Sequence, residues 1–288
     1  MIRFVSVVML CGWVPLPGQP RVLTADPKID PYRRIEGVLA APPETPDCSD
    51  KAFGPHITQT MDEELGRYVF LFSIHVRPDD DRCVSSDRQR VEVKTMGNPS
   101  TPDYLKGFRG DTVTLRWRFK LPAGFQASAR FTHIHQINAF DGDAGAPVIT
   151  LTARKGSPDM LELIYIPGRD TTNPHPRGVQ SRTRLEPLVG IWLEGYEKIT
   201  YGSSGSYAFT LSRVSDGKEM FSYSASGLDL WRTGATVLRP KWGIYRSLDR
   251  AEQIRDEQLR FGGFCLAKGK DDCPAGVFDD ERASRERK

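Results

Sequence analysis

Strict alternation of apolar and polar residues recurs along most of this chain, and it limits the possible folds more than any other feature. Arg90-Val-Glu-Val-Lys94 puts valines on one side and charges on the other, and Thr112-Val-Thr-Leu-Arg-Trp-Arg-Phe-Lys-Leu121 extends the same pattern. A period of two belongs to a half-buried strand, because successive side chains leave opposite faces. Aromatic and β-branched runs follow at 68–76, 131–138, 147–152, 160–166, 207–213, 218–223 and 242–245. Asp216-Gly217 lies between two of them as a hairpin-turn signal. Short strands separated by turn residues predict an all-β fold, a jelly-roll β-sandwich of concanavalin-like type with antiparallel sheets.

The pattern covers residues 56–268 without an internal repeat or a dividing linker, so a single domain is expected there. Residues 26–55 are rich in Pro, Asp and Gly and read as an irregular leader on the domain surface. Residues 269–288 read as a charged C-terminal tail, disordered from Asp279 onward. The clearest helical candidate is Arg250–Leu259, and residues 167–187 read as a polar loop rich in Arg and Pro.

The N-terminus carries Arg3 and then an apolar run from Phe4 to Leu16. That run is too short to span a bilayer and reads as a signal peptide over 1–25, with cleavage after Leu23-Thr24-Ala25. No other stretch is apolar enough to cross a membrane. Of five cysteines, Cys11 lies in the presumed signal. The other four lack a C-x-x-C motif and fit two disulfides, Cys48–Cys83 and Cys265–Cys273. A secreted or periplasmic protein is therefore expected. No histidine stands at finger-like spacing from the cysteines, which argues against zinc. The formal charge is +3, and without Arg3 and Arg21 the chain is close to neutral. This argues against a nucleic-acid partner and requires any polyanion site to be a local basic patch. A monomer is expected.

Three segments could carry chemistry. Arg90, Glu92 and Lys94 share one strand face, a platform for an anionic sugar chain, although a solvated face is the plainer reading of that strand alone. Phe131-Thr-His133-Ile-His135-Gln136-Ile-Asn138 breaks the apolar alternation. Regular alternation would place Gln136 and Asn138 on one face and His133 and His135 on the other. Core histidines satisfied by hydrogen bonds are the plainer reading. In Arg239-Pro-Lys241-Trp-Gly243-Ile-Tyr245-Arg-Ser247, Lys241, Gly243 and Tyr245 share a face, and Gly243 would leave a gap where a ligand could approach the backbone. The alternative is a buried aromatic strand with a bulge.

In chain order these segments resemble the motifs of jelly-roll polysaccharide lyases of the alginate-lyase type, polysaccharide lyase family 7, with glucuronan and heparin lyases as relatives of similar fold. Arg90-Val-Glu92-Val-Lys94 is similar to that family's R-x-E-L-R strand, with Lys in the final position. Gln136-Ile137-Asn138 is similar to Q-I-H, and Lys241-Trp-Gly243-Ile244-Tyr245 to the end of Y-F-K-A-G-I-Y. The resemblance covers about residues 56–264 and implies an enzyme that cleaves an acidic, uronic-acid-containing polysaccharide by β-elimination. Tyr245, His135, Gln136 and Arg90 would be catalytic, while Asn138, Lys94, Lys241, Glu92 and His133 would bind substrate. Asn138 replaces the histidine usually given the base role. Either His135 or His133 then supplies the base through a bulge or shifted register, or Tyr245 serves as both base and acid.

The residue types suit the reaction. The C5 proton of a uronate becomes acidic only when its carboxylate is neutralised, and Arg90, Gln136 and Asn138 are donors for that purpose. A base takes the proton, a phenol can protonate the leaving oxygen, and neighbouring cations would lower the phenol's pKa. Two alternatives are a non-catalytic carbohydrate-binding sandwich and a jelly-roll glycoside hydrolase, which needs paired carboxylates. No cofactor is implied. Asp141-Gly-Asp143 could bind calcium, but a simple turn is the plainer reading.

Overall fold

The computed structural model describes residues 19–46, 53–77, 85–168 and 175–279. Cys11, Cys48, Cys83, most of the expected signal and residues 280–288 lie outside the described residues, and so does the expected Cys48–Cys83 bond.

Among the described residues, fourteen strands form two antiparallel sheets. One holds β2 (Ile57–Asp62), β3 (Arg67–Ile74), β5 (Thr112–Lys120), β10 (Leu193–Thr200), β11 (Gly205–Arg213), β12 (Glu219–Leu228) and β14 (Glu257–Lys268), in the order β12-β11-β10-β5-β14-β3-β2. A short strand, β1 (Arg21–Leu23), also pairs with β14. The other sheet holds β4 (Arg88–Lys94), β6 (Thr132–Ala139), β7 (Ile149–Arg154), β8 (Met160–Tyr165), β9 (Gly178–Arg184) and β13 (Leu238–Ser247), in the order β4-β13-β6-β7-β8-β9. The expected jelly-roll sandwich is therefore present.

The core lies between the sheets. Val113, Leu115, Trp117 and Phe119 of β5 are buried, as are Val91 and Val93 of β4 and Trp242 and Ile244 of β13. These are the apolar members of the alternating runs, so the period-two pattern decided which face points inward. Burying each such side chain contributes about 1.5–3 kcal/mol.

Four expectations need correction. The leader is partly regular: α1 (Pro31–Leu39) is a helix, capped where the Asp30 carboxylate accepts from the Arg33 amide at 3.0 Å, with Pro at its start. It buries only Ile35 and Leu39, too few apolar positions to show a helical period. The expected helix at Arg250–Leu259 is a short 3-10 turn at Ala251–Gln253 followed by β14. Its charges misled the reading, because Glu257 is buried and accepts from the Gln126 amide at 2.9 Å. The polar loop at 167–187 contains β9, an edge strand whose exposed positions are Val179, Arg182 and Arg184. The tail is packed as far as Asp279: Cys265 and Cys273 are disulfide-bonded, Phe278 is buried, and Asp279 accepts from Arg118 at 2.6 Å. In addition, Leu23 pairs with Phe264 in β1 and is fully buried, so cleavage after Ala25 would remove a sheet strand.

Candidate active site

The outer face of the six-stranded sheet collects most of the residues singled out from sequence. β13 runs between β4 and β6, with Tyr245 opposite Arg90, Gly243 opposite Glu92 and Lys241 opposite Lys94. On its other side Lys241 faces Gln136 and Arg239 faces Asn138. Arg90, Gln136 and Tyr245 thus stand on one face, as expected.

The histidines separate, contrary to the expectation that they share a face. Register slips between His133 and His135 against β7, and between Trp242 and Tyr245 against β6. As a result Lys241–Tyr245, His133–Gln136 and Thr150–Thr152 cover the same stretch of three neighbouring strands. Such bulges bend and twist a sheet and re-aim the side chains around them. Ile134 and His135 both turn inward, and His133 comes out beside Tyr245. The bulge therefore brings His133, and not His135, to the site.

His135 is a core residue. Its Nδ1 lies 2.9 Å from the Lys241 carbonyl, so that nitrogen carries a proton, and its Nε2 lies 2.9 Å from Glu197 Oε2. Tyr207 donates to the same carboxylate oxygen at 3.1 Å, and Trp117 packs on the imidazole with centroids 4.4 Å apart. This buried network holds the two sheets together, although the other Glu197 oxygen, Oε1, has no hydrogen-bond partner.

His133 is half-buried. Its Nδ1 lies 2.7 Å from Thr152 Oγ1, and Thr152 donates onward to Thr150 at 2.9 Å. The Thr152 proton is thereby used, so its oxygen accepts from Nδ1–H, and the Nε2 lone pair is left for other work. Burial, with Arg154 and Arg90 nearby, pushes the His133 pKa down to about 3. The ring stacks on Phe131 at 4.8 Å and lies 5.7 Å from the Tyr245 ring. Arg90 stacks on Tyr245 with its guanidinium carbon 3.9 Å from the ring centroid, and Arg88 donates to the phenol oxygen at 3.1 Å.

Sequence reading missed Glu44. Its backbone pairs with Glu92, so the leader extends the sheet beyond β4. The Glu44 carboxylate accepts from Arg90 at 2.8 Å, from Lys241 at 2.6 Å and from Lys94. Burial alone would raise its pKa, but Lys241, Lys94 and Arg90 outweigh burial and hold it far below the usual carboxylate range. Glu92 accepts from Gln136 and lies 3.5 Å from Arg90 and 3.6 Å from Lys241. Three cations and two carboxylates therefore form one buried cluster. Burial also lowers the pKa of Lys94. Asn138 is half-buried, and its Oδ1 has no hydrogen-bond partner.

Gly243 does not open a gap for a ligand. Its φ is 150°, and a Cβ there would stand 2.0 Å from the Val91 carbonyl oxygen, so the β4 backbone fills the space. Asp141 bridges two loops, its two carboxylate oxygens accepting from the Thr236 amide at 2.7 Å and the Thr236 hydroxyl at 2.6 Å.

Arg88, Thr150 and Thr152 were also missed. No short motif marks them, although each stands directly opposite, or one strand away from, a residue that a motif did mark.

No protein-family description matches the sequence, and no curated protein does. Solved structures do resemble it. The endo-β-1,4-glucuronan lyase from the fungus Trichoderma reesei aligns over 73% of this chain and 86% of its own, with TM-score 0.53 and 14% identity. An alginate lyase from Klebsiella pneumoniae aligns over 88% of this chain and 96% of its own, with TM-score 0.53 and 14% identity. Alginate lyase A1-II', a member of polysaccharide lyase family 7, aligns over 79% of this chain and 93% of its own, with TM-score 0.51 and 16% identity. The chain has an alginate-lyase-like fold, and at these identities the likeness concerns the fold alone.

Proposed function

We propose that this protein is an exported polysaccharide lyase that cleaves a uronic-acid polymer by β-elimination. The observation that carries this reading is the pairing of His133 with Tyr245. A neutral imidazole with its Nε2 available lies beside a phenol that two guanidinium groups flank. In the proposed reaction His133 Nε2 takes the C5 proton of the uronate. Tyr245 gives its proton to the oxygen leaving C4, and Arg88, already donating to that phenol oxygen, meets the charge that develops there. Gln136 and Asn138 offer amide donors to the substrate carboxylate. The Glu44–Glu92 cluster holds Arg90 and Lys241 in place beneath them.

Export is supported by the N-terminal apolar run and by the Cys265–Cys273 bond. Among the described residues no helix is long and apolar enough to cross a membrane.

Non-catalytic polysaccharide binding is the second reading. It is favoured by Asn138 standing where the resembled motif has histidine. One experiment separates the two. The purified protein is incubated with polymannuronate, polyguluronate and polyglucuronate while the ultraviolet absorbance of the unsaturated uronate is followed. A rise with any polymer is expected. Saturable binding with no rise on any of them would leave only the binding reading.

A further inference from the structure

The cations at the two ends of this sheet face are in different states. Near β4, Glu44 and Glu92 offset two of the three charges on Arg90, Lys94 and Lys241 within the protein itself. Near β9 a cavity of about 430 Å³ is lined by Arg154, Lys155, Arg182 and Arg184, with Glu162 as its acid. Glu162 is engaged by Arg154 at 2.8 Å. Among the described residues no acidic group pairs with Lys155, Arg182 or Arg184, and all three are exposed.

The register connects this cavity to the candidate catalytic pair. Tyr245 is opposite His133, His133 opposite Thr152, Thr152 opposite Glu162, and Glu162 opposite Arg182. Arg184 stands opposite Met160, on the same face. Three strand spacings separate His133 from Arg182, roughly 14 Å at ~4.8 Å each. A sugar unit held at His133 cannot also reach Arg182, but a chain lying across the strands can.

We propose that Lys155, Arg182 and Arg184 form a distal subsite for the carboxylate of a uronate several units from the bond that is cut. This rests on the lyase reading for the direction of the chain, but the binding it predicts can be measured without turnover. Guanidinium groups suit the task because they take a carboxylate with two parallel hydrogen bonds. The division of labour follows from charge. The β4 cluster keeps one net positive charge, against three at the β9 cavity, so the unpaired cations of β9 and the loop after β7 supply most of the long-range attraction. Charged residues on β9 could instead serve only to keep that edge strand from pairing with another sheet. The same experiment decides between these roles.

The R182A/R184A double variant and the wild type are compared for binding of polymannuronate, polyguluronate, polyglucuronate and their trimers. Unfolding midpoints confirm that removing two exposed side chains leaves the fold intact. On the polymer that the wild type prefers, affinity is expected to fall about tenfold or more, as loss of charge-assisted contacts requires. The trimer, held at His133, is expected to bind the two proteins alike. Equal polymer affinity in the two proteins, or an equal loss on polymer and trimer, would overturn the subsite. The two proposals fail separately. A wild type that binds polymer through Arg182 and Arg184 but releases no unsaturated product loses the lyase reading and keeps the subsite. A double variant that cleaves polymer with unchanged KM loses the subsite and keeps the lyase.

Discussion

His133 and Tyr245 stand directly opposite each other across β6 and β13, with their ring centroids 5.7 Å apart. Regular alternation would have turned His133 away from Gln136. The extra residue at Ile134 turns it back, so both share the outer face. The chemical predictions follow from that pairing.

Tyr245→Phe removes a proton donor but keeps the ring that Arg90 stacks on. Loss of a proton-transfer group lowers rate by ~10²–10⁴. Because the contact is used only as the C4–O bond breaks, kcat and kcat/KM should fall together, with polymer affinity nearly unchanged. A Tyr245→Phe protein that eliminates at the wild-type rate would remove Tyr245 from the mechanism.

The two histidines should respond in opposite ways. His133→Ala is expected to fold normally and lose turnover to a depth similar to Tyr245→Phe. His135→Ala removes a donor from the Lys241 carbonyl and leaves the Glu197 carboxylate with Tyr207 as its remaining partner in the core. Leaving buried groups unsatisfied costs about 1–3 kcal/mol each, more for a charge, so this variant should show a lowered unfolding midpoint. Full stability in His135→Ala together with lost activity would reverse the assignment.

Acid should destabilise the fold in two windows. His133 has a folded pKa of about 3 against 6.5 for a free imidazole, so the unfolded chain binds the extra proton as pH falls between them. Stability therefore decreases from about pH 6.5 toward 3. Glu44, held far below its ordinary 4.5, adds a second loss as pH falls below that value. Denaturant titrations across this range should show both, and His133→Gln should flatten the first. The acid limb of kcat/KM should also lie well below the usual histidine range. An inflection near pH 6.5 would show that the base titrates as an ordinary imidazole and that burial does not hold His133 neutral.

Glu44→Gln tests the buried charge cluster. The change keeps the shape but leaves Arg90 and Lys241 with only Glu92 as a carboxylate partner, and Lys94 with none among the described residues. Breaking a buried ion pair costs ~3–5 kcal/mol, and Glu92 should offset part of it. Denaturant unfolding should show a loss of a few kcal/mol, and an unchanged midpoint would mean that the cluster does not need Glu44.

The sequence by itself determined the sandwich, the inward faces of β4 and β5 and the Cys265–Cys273 pair. These depend on local period and short separation, which can be read along a chain. It also put Arg90 with Lys94, and Lys241 with Tyr245, on shared faces, because along β4 and along β13 where the two pair the alternation is unbroken. Tertiary structure decided the rest. A bulge is defined by what lies across the ladder, so neither the outward turn of His133 nor the inward burial of His135 could be counted from residue parity. The same holds for Gly243, which serves the close approach of β4 and not that of a ligand. Glu44 lies in a segment without periodicity and gains its role by pairing with Glu92, 48 residues later. Partners so far apart in sequence leave no local signal, because only the folded sheet brings one carboxylate within reach of three cations.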